Sequence, residues 1–578
     1  MIGEQTVQVG RSDEIRAWLA GPVGFGLTRG EVLLYLAILA LAAGLRFHDL
    51  GARTFHHDEA IHAKESVEMI RGKQYRYDPA YHGPLLYFTN TLFFMAVGHD
   101  DVTARVIPAV VGVATVAALI LLRPELGRVG TPLAMTAMTL STAFLYYSRF
   151  VRNDIYVALF TLVLVGALMR YMARPRRRWI YIAWVALGLS FVTKENTYIH
   201  GVLLVGLLGA FAIVAWAAAR RPSRKALPVV GAIHSAMTHL RRDAEHLVYG
   251  FLVFVLIAFL FYTSFLTNLT GFRDAFVDSV NYWAAVHESE RVNQPWFYYP
   301  MFLLVYEPFV LLVGAFALTR LSTARTPLPW VLALWGVVGM GIYSTLGEKA
   351  PWLVLHVMWP FLVLASWYAG RRLEAGQPWM LRAAMAVLVV GLFAWTVRFG
   401  VPTTYERGDV PIDFVMYVQT SPDALKGVAA IEASGQVTGD ANYVRAVVEH
   451  EFAWPLAWYL RNYPNIAYEK EVTLEEALSS PVVLLKKETS AHLRLDTHGY
   501  SSEVLPLRRW FPEFAYRGWT IGFLGTFFSD AKARETFWDW LVFREQTPVP
   551  IGSFDYVLHI RDDVGPVQPT QPVGEALK

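Results

Sequence analysis

The chain has 578 residues, of which 54% are hydrophobic, 14% aromatic and 17% charged, and its mean hydropathy is +0.34. Soluble domains carry about 25% charged residues, so this composition predicts a polytopic α-helical membrane protein. A net charge of +3 gives no indication of a nucleic-acid partner, and the absence of cysteine excludes disulfides, thiolate metal sites and cysteine nucleophiles.

The N-terminal part of the chain leads into a series of apolar stretches. Residues 1–29 lack the basic start and apolar core of a signal peptide, so we expect a cytoplasmic segment there. Because about 20 apolar residues cross a bilayer, we predict about eleven transmembrane helices within 30–400. The candidate spans are 30–47, 102–122, 131–147, 154–173, 179–193, 196–219, 246–268, 298–319, 328–346, 351–370 and 380–400.

A shorter apolar stretch, 84–98, lies in the loop 48–101 that follows the first span. Counting it as a span would place the basic clusters of the later loops outside, although Lys and Arg mark the cytoplasmic side. We therefore expect a juxtamembrane helix at the outer surface. With that count, the cytoplasm receives the basic clusters at 123–128, 174–178, 220–225, 320–325 and 371–372.

The first charged motif, "HHDEAIHAKE" at 56–65, directly follows the first span and has helical character. Asp58 is the candidate catalytic acid, because a carboxylate at the edge of a membrane cavity can act as general base toward a hydroxyl. Glu59 is the second candidate, although adjacent side chains point about 100° apart on a helix. His57 and His62 would support the pocket. A solvated amphipathic helix explains the same pattern.

Three more charged motifs fall on the same predicted outer side, each beside a span. "SRFVRND" holds Arg149 and Arg152, which could grip one phosphate together or snorkel to the interface, and it ends in Asp154. "TKEN" contributes Lys194 and Glu195 in a very short turn, where charges are functional or paired with each other.

The last of these motifs, "GEKAPW", holds Glu348, Lys349 and Trp352, with His356 following inside the next span. An interface belt explains Trp352 equally well, and a hydrogen-bonded structural role explains His356. The four motifs together predict a cavity at the outer membrane edge that has carboxylates on one wall and cations on the other. Such a cavity suits a reaction whose leaving group is a lipid phosphate.

These residues resemble the membrane glycosyltransferases of the GT-C class, which take sugars from polyprenyl-phosphate carriers. The Asp58-Glu59 pair after the first span is similar to the hallmark of the class, and "VTARVIPAVVG" and "SRFVRNDIYVALF" resemble later motifs. "YDPAYHGPLLYF", which contains His82, looks like the Pro-Pro-Leu stretch of protein O-mannosyltransferases and aminoarabinose transferases, but lacks the second proline and the lysine. "HHDEAIHA", "TKEN" and "GEKAPW" look closer to a prokaryotic subgroup labelled flippase-activity-associated proteins.

The resemblance implies a GT-C-like fold and roles for individual residues. Asp58 becomes the catalytic or acceptor-orienting acid. Arg149, Arg152, Lys194 and Lys349 become candidate donor-phosphate ligands by their chemistry. No cofactor is required by this scheme, although oligosaccharide-transferring relatives use a divalent ion, so a Mg or Mn site at Asp58 and Asp154 stays open.

The rest of the chain changes character after the last span. Residues 401–562 have no span-length apolar run, and we predict an extracytoplasmic α/β domain followed by a disordered tail, 563–578. "DALKGVAAIEA" and "EFAWPLAWYLRNY" indicate helices, whereas "PVVLLKK" and "DYVLHIR" indicate strands. The aromatic run at 508–523 is typical of sugar stacking, membrane contact or packing onto the membrane unit.

The leading hypothesis is an inverting glycosyltransferase of the plasma membrane. It would move a sugar from a polyprenyl-phosphate donor to a hydroxyl of a glycan, lipid or protein acceptor, among membrane lipids. A flippase or transporter for lipid-linked sugars would use the same cations without chemistry, and broken spans in matched halves would favour it. A third alternative is a scaffold whose outer domain recruits partners.

Overall fold

A computed structural model describes residues 11–24, 26–220, 228–289, 292, 294–374, 376–517, 525, 527–544 and 550–564. A helix over Arg11–Ala20 and a short antiparallel pair of strands, β1 (Pro22–Gly24) and β2 (Leu27–Thr28), precede the first apolar helix. Thr28 starts that helix with a reciprocal capping box, in which its side chain accepts from Glu31 N and the Glu31 carboxylate accepts from Thr28 N.

The membrane unit is a bundle of apolar helices. They span Arg29–Phe47, His57–Ile70, Leu85–Val97, Asp101–Ala118, Arg123–Leu140, Thr142–Tyr147, Asp154–Ala173, Arg178–Phe191, Asn196–Arg220, Pro228–Arg242, Ala244–Tyr262, Gly271–Ser289, Tyr298–Tyr306, Gly314–Leu318, Leu328–Thr345, Val354–Leu373 and Trp379–Tyr405. Each of the eleven predicted spans is therefore helical over most of its length.

Fewer of these helices are long enough to cross a membrane on their own. Within the described residues, eight stretches meet the length and hydropathy that a span needs, or nine if one pair bent by 112° counts as a single span. One of the eight, Asp101–Leu140, contains two predicted spans that are separated by a break at Gly127, where φ is +78°. The helix Arg178–Phe191 has only 14 residues. The chain is a multi-pass membrane protein, and the count of eleven stays a prediction.

One helical segment lies at the centre of the bundle. All of the apolar stretch of Pro351–Leu373 is buried in protein (100%), whereas only 11% of the corresponding stretch is buried in Trp379–Tyr405 and in Ala244–Tyr262. Trp352 and His356 lie near the start of this central segment. Both side chains are buried inside the protein at one end of the bundle.

The C-terminal part forms the predicted α/β domain. Its strands are β3 (Val418–Thr420), β4 (Ala446–Glu449), β5 (Ile466–Glu469), β6 (Val482–Leu485), β7 (Tyr500–Trp510) and β8 (Gly552–Arg561), in the sheet order β3-β7-β8-β6-β4-β5. Among the described strands of this sheet, the β4–β5 and β4–β6 pairs are parallel and the other pairs are antiparallel. Helices span Ala424–Thr438, Ala453–Tyr459, Leu474–Leu478, Lys487–Leu493, Phe514–Arg517 and Ala531–Trp538.

The predicted elements of this domain correspond to Ala424–Thr438, Ala453–Tyr459, β6 and β8. The predicted disordered tail lies outside the described residues beyond Val564. The domain packs on the membrane unit through Asp101, whose carboxylate accepts from Trp458 Nε1 (2.7 Å) and from the Tyr459 hydroxyl (3.0 Å). This contact brings the sheet next to the end of the bundle where the charged motifs lie.

Candidate active site

The helix His57–Ile70 carries Asp58 in its first turn. His56 is the N-cap, and its Nδ1 accepts from Asp58 N at 3.0 Å, while Glu59 accepts from His56 N at 3.0 Å. The two acidic neighbours therefore have different surroundings, because the Glu59 carboxylate is committed to the start of the helix.

Glu59 is a bracing residue that is fully buried (0% exposed). Arg105 grips it with two hydrogen bonds of 2.8 Å, and Val151 N donates to it at 3.1 Å. Burial opposes ionisation, but Arg105 and Arg53 lower the pKa of Glu59 to about 2. The carboxylate thus ties the helix His57–Ile70 to the helix Asp101–Ala118 and to the loop before Asp154, and Glu59 does not line the cavity described below.

Asp58 faces a cavity and contacts Arg152, whose Nη1 donates to Asp58 Oδ2. Burial disfavours the charged form, but the Arg152 guanidinium holds the pKa of Asp58 below its ordinary value. The side chain stays 25% exposed. Asp58 is therefore an ionised carboxylate that is partly accessible from the cavity.

Arg152 connects Asp58 to a second buried carboxylate. Its Nε donates to Asp154 Oδ2 (3.2 Å), and its guanidinium lies 3.6 Å from the centre of the Trp352 ring. Asp154 also accepts from Lys194 Nζ at 2.8 and 2.9 Å and from His356 Nε2 at 3.0 Å. Three of the predicted motifs thus meet at one carboxylate.

His82 and Glu195 form the neighbouring wall. His82 Nδ1 donates to Glu195 Oε2 at 2.7 Å, and the Tyr77 hydroxyl donates to Glu195 Oε1 at 2.8 Å. His82 has a φ of +67°, which is uncommon for a residue with a side chain, and it stacks on Trp283 with a ring separation of 5.5 Å. Gly83 N donates to Thr193 O (3.1 Å), so the two loops pack backbone to backbone.

A cavity of about 450 Å³ is lined by half of the predicted site residues. Its lining consists of His56, His57, Asp58, Ile61, His62, Ala80, Tyr81, His82, Arg152, Trp283, Val292, Glu348, Trp352, Tyr417, Val418, Trp454 and Arg508. We call it the central cavity. The central cavity adjoins a second cavity of about 470 Å³, which we call the apolar cavity. The polar residues of the apolar cavity include Lys194, Glu195 and Glu348. The two cavities share His82, Trp283, Glu348 and Trp352.

Arg149 lies elsewhere. Its guanidinium donates to the backbone carbonyls of Arg46 (3.0 Å), His48 and Asp49 (2.7 Å), where the first apolar helix ends. These carbonyls lack helical partners, so Arg149 caps the helix and does not reach the central cavity. Lys349 is buried beside Glu348, and its backbone N–H donates to Val292 O at 3.1 Å.

The histidines of the first motif are held neutral at physiological pH. Burial lowers the pKa of His56 to about 4 and that of His62 to about 3, and it also lowers the pKa of His57. His62 Nδ1 lies 2.7 Å from the Tyr87 hydroxyl, which in turn donates to Tyr81 O. The cavity therefore receives no positive charge from this helix.

The residues at Asp58 and Asp154 do not fit a metal ion in this arrangement. The Arg152 guanidinium contacts both carboxylates and supplies the positive charge that an ion between them would carry. Among the described residues, no group of three or more His, Asp or Glu side chains is arranged to hold a metal.

Sequence reasoning missed several charged or aromatic residues of the site, among them Arg105, Trp283 and Arg508. Arg105 lies in the quoted motif "VTARVIPAVVG", but the sequence did not show its partner. The ion pair with Glu59 explains why an arginine is buried there. Trp283 and Arg508 come from regions without a charged motif beside a span. An arginine within an apolar helix was a signal for Arg105, and Arg508 begins the aromatic run 508–523, whereas no motif pointed to Trp283.

Comparison with known proteins bears on the fold of the chain. Residues 81–240 match the family model of the dolichyl-phosphate-mannose-protein mannosyltransferases. No curated protein sequence matches the chain at a significant level. The structure of ArnT from Cupriavidus metallidurans bound to undecaprenyl phosphate has a TM-score of 0.53 at 16% identity and covers 83% of this chain and 97% of its own.

Two further solved structures are similar. The apo state of the same ArnT has a TM-score of 0.54 at 16% identity, with the same coverage. The oligosaccharyltransferase from Archaeoglobus fulgidus in the apo form has a TM-score of 0.49 at 10% identity and covers 92% of this chain and 88% of its own. The chain is a multi-pass membrane protein with a GT-C-like fold, as its motifs predicted, and its membership of the glycosyltransferase class stays a prediction. The closer subgroup stays a prediction.

Proposed function

We propose that this protein is an inverting glycosyltransferase that moves a sugar from a polyprenyl-phosphate donor to a hydroxyl acceptor. The observation that carries the proposal is the pairing of Asp58 with Arg152 in a cavity that continues into an apolar cavity containing Lys194. A lipid chain fits the apolar cavity, a phosphate fits the two cations, and an acceptor hydroxyl fits the carboxylate.

The reaction balances with these groups alone. Asp58 takes the proton of the acceptor hydroxyl, and the oxygen forms a bond to the anomeric carbon of the donor. The bond between that carbon and the phosphate oxygen breaks, and its electron pair stays on the polyprenyl phosphate. Arg152 and Lys194 stabilise the negative charge that develops on the phosphate. Such electrostatic stabilisation is usually the largest single contribution to the rate acceleration.

Arg152 would change partners during this reaction. Before the donor binds, its guanidinium neutralises Asp58, and a carboxylate so paired is a weak base. A donor phosphate competes for the same guanidinium, so Asp58 loses its counter-charge and becomes more basic. Donor binding would therefore prepare the base for the acceptor.

We place the site on the extracytoplasmic side of the membrane. The helix Asp154–Ala173 separates Asp154 from the basic cluster at 174–178, and Val354–Leu373 separates Trp352 from Arg371 and Arg372. The basic clusters thus lie at the helix ends opposite the site, and such clusters mark the cytoplasm.

The test is transfer in liposomes that contain the purified protein, radiolabelled polyprenyl-phosphate sugars and mixed lipid, glycan and peptide acceptors. Asp58→Asn should reduce release of polyprenyl phosphate by about 10² to 10⁴. Glu68→Gln is the matched control, because Glu68 stands on the same helix but bonds to Lys64 and Arg71 outside the cavity. Unchanged turnover in Asp58→Asn would contradict the mechanism, and carrier movement without release would indicate a flippase.

A further inference from the structure

A third cavity, of about 500 Å³, lies against the central cavity on the side of the C-terminal domain. We call it the domain cavity, and its lining is Tyr417, Val418, Glu451, Arg508, Trp510, Glu513 and Phe554. It shares Tyr417, Val418 and Arg508 with the central cavity and no lining residue with the apolar cavity. The central cavity, which contains Asp58, thus adjoins separate cavities on two sides.

Arg508 forms the wall between the domain cavity and the central cavity. Its Nη2 donates to Glu451 O at 3.1 Å, and its guanidinium lies 5.4 Å from the centre of the Phe554 ring. The buried Nε has no hydrogen-bond partner among the described residues. A buried donor of this kind costs free energy until a partner satisfies it, so the wall between the two cavities holds an unsatisfied donor.

The remaining lining combines aromatic rings with carboxylates. Tyr417, Trp510 and Phe554 supply the rings, and all three are partly exposed. Glu451 is paired with Lys486 (2.8 Å), and Glu513 is paired with Arg517. Because each carboxylate already has a cation, the cavity favours an uncharged ligand over a cationic one.

We propose that the domain cavity binds sugar residues of a carbohydrate acceptor and presents their hydroxyl to Asp58. The aliphatic face of a pyranose packs on an aromatic ring, and its hydroxyls donate to carboxylates, which act only as acceptors. The lining combines three aromatic rings with three charged side chains, and polar groups that converge beside aromatic walls are typical of a small-molecule site. This assignment rests on the proposed function, since it names the acceptor of that reaction.

Binding without donor separates the two proposals. The full chain in nanodiscs would be titrated with maltotriose, chitotriose and mannotriose, and saturation-transfer difference NMR would give each Kd. We expect at least one trisaccharide to bind, and Glu513→Gln and Trp510→Leu to weaken it about tenfold or more, equivalent to about 1.4 kcal/mol. Asp58→Asn should retain this binding, because it removes the base and not the cavity.

The matched control is Glu503→Gln, an exposed glutamate on the same strand β7 that lies outside the domain cavity. Glu513→Gln preserves the side-chain shape, and size-exclusion profiles show whether each variant is folded. The proposal is overturned if no trisaccharide binds, or if Glu513→Gln and Trp510→Leu bind as tightly as Glu503→Gln. Cavity-dependent binding of an unglycosylated peptide alone would also overturn it and assign a peptide acceptor. If the wild-type protein binds a trisaccharide but releases no polyprenyl phosphate in the liposome assay, the proposed function alone is contradicted.

Discussion

Two arginines of one motif have different tasks, although they are three residues apart. Arg152 contacts two carboxylates and an aromatic ring at the central cavity. Arg149 closes the C-terminal end of the first apolar helix by binding its carbonyls. The spacing of the two arginines predicted that both could bind one phosphate. Arg149 instead lies beside the end of the first apolar helix, where the last carbonyls lack hydrogen-bond donors.

Replacing each arginine by lysine should separate these tasks. Arg152→Lys keeps the charge but loses the planar group that reaches two carboxylates, so we expect kcat to fall about a hundredfold. Arg149→Lys should instead reduce the free energy of unfolding by about 1–3 kcal/mol, because carbonyls lose their donors. Turnover and thermal unfolding of both variants provide the measurement, and equal kcat values would contradict the assignment.

His62 should make stability depend on pH. Burial lowers its pKa to about 3, whereas an unfolded histidine titrates near about 6.5. The unfolded chain therefore binds the proton first, and stability falls as the pH drops below about 6.5. At about pH 5 this one group should cost about 2 kcal/mol relative to about pH 7.5.

His62→Asn tests this by removing titration while keeping a partner for Tyr87. Between about pH 7.5 and about pH 5, the variant should lose about 2 kcal/mol less stability than the wild type. Thermal unfolding at the two pH values provides the measurement. His498→Asn, at an exposed position, is the control. The same pH-dependent loss in His62→Asn as in the wild type would argue against a neutral buried histidine.

At the scale of elements, hydropathy predicted the apolar helices because each depends only on its own apolar residues, whereas the less apolar helices Pro228–Arg242 and Gly271–Ser289 were not predicted. The position of the charged motifs beside the spans also predicted which loops meet. Sequence could not show that Glu59 faces Arg105, since the partners are 46 residues apart. It also could not show that the loop at Gly83 packs on the turn at Thr193, which depends on backbone contact.

Gly83→Ala should disturb the wall that His82 and Glu195 form. A Cβ at this position would overlap the carbonyl of Val192, which belongs to backbone and cannot turn away. We expect a loss of about 1–3 kcal/mol in stability, typical of overpacking, and a lower kcat from displaced His82. Gly72→Ala makes a poor comparison because φ is +99° there, so Gly44→Ala, which has open space, is the control. Wild-type activity in Gly83→Ala would contradict tight loop packing.

At the scale of the whole molecule, the sequence predicted a separate α/β domain but not its place. Its contribution to the central cavity comes from Tyr417, Val418, Trp454 and Arg508, which no charged motif beside a span announces. Docking depends on surfaces from both halves, and one of its polar contacts joins residues 357 positions apart. Such a contact has no periodicity that sequence reading could detect.

Weakening this docking should separate acceptor use from donor binding. Asp101→Ala removes the acceptor for both Trp458 and Tyr459, and each lost bond to a charged group is worth about 1.5–3 kcal/mol. The apolar cavity is lined entirely by residues between His82 and Leu353, so the Kd of a polyprenyl-phosphate donor should stay unchanged. The acceptor KM should rise, because Arg508 and the domain cavity would no longer be held against Asp58.

Hydrogen exchange in Ala453–Tyr459 should increase in Asp101→Ala but not in Asp440→Ala, an exposed aspartate of the same domain. A donor Kd and an acceptor KM that rise together would show that the domain supports the whole bundle rather than the acceptor side alone.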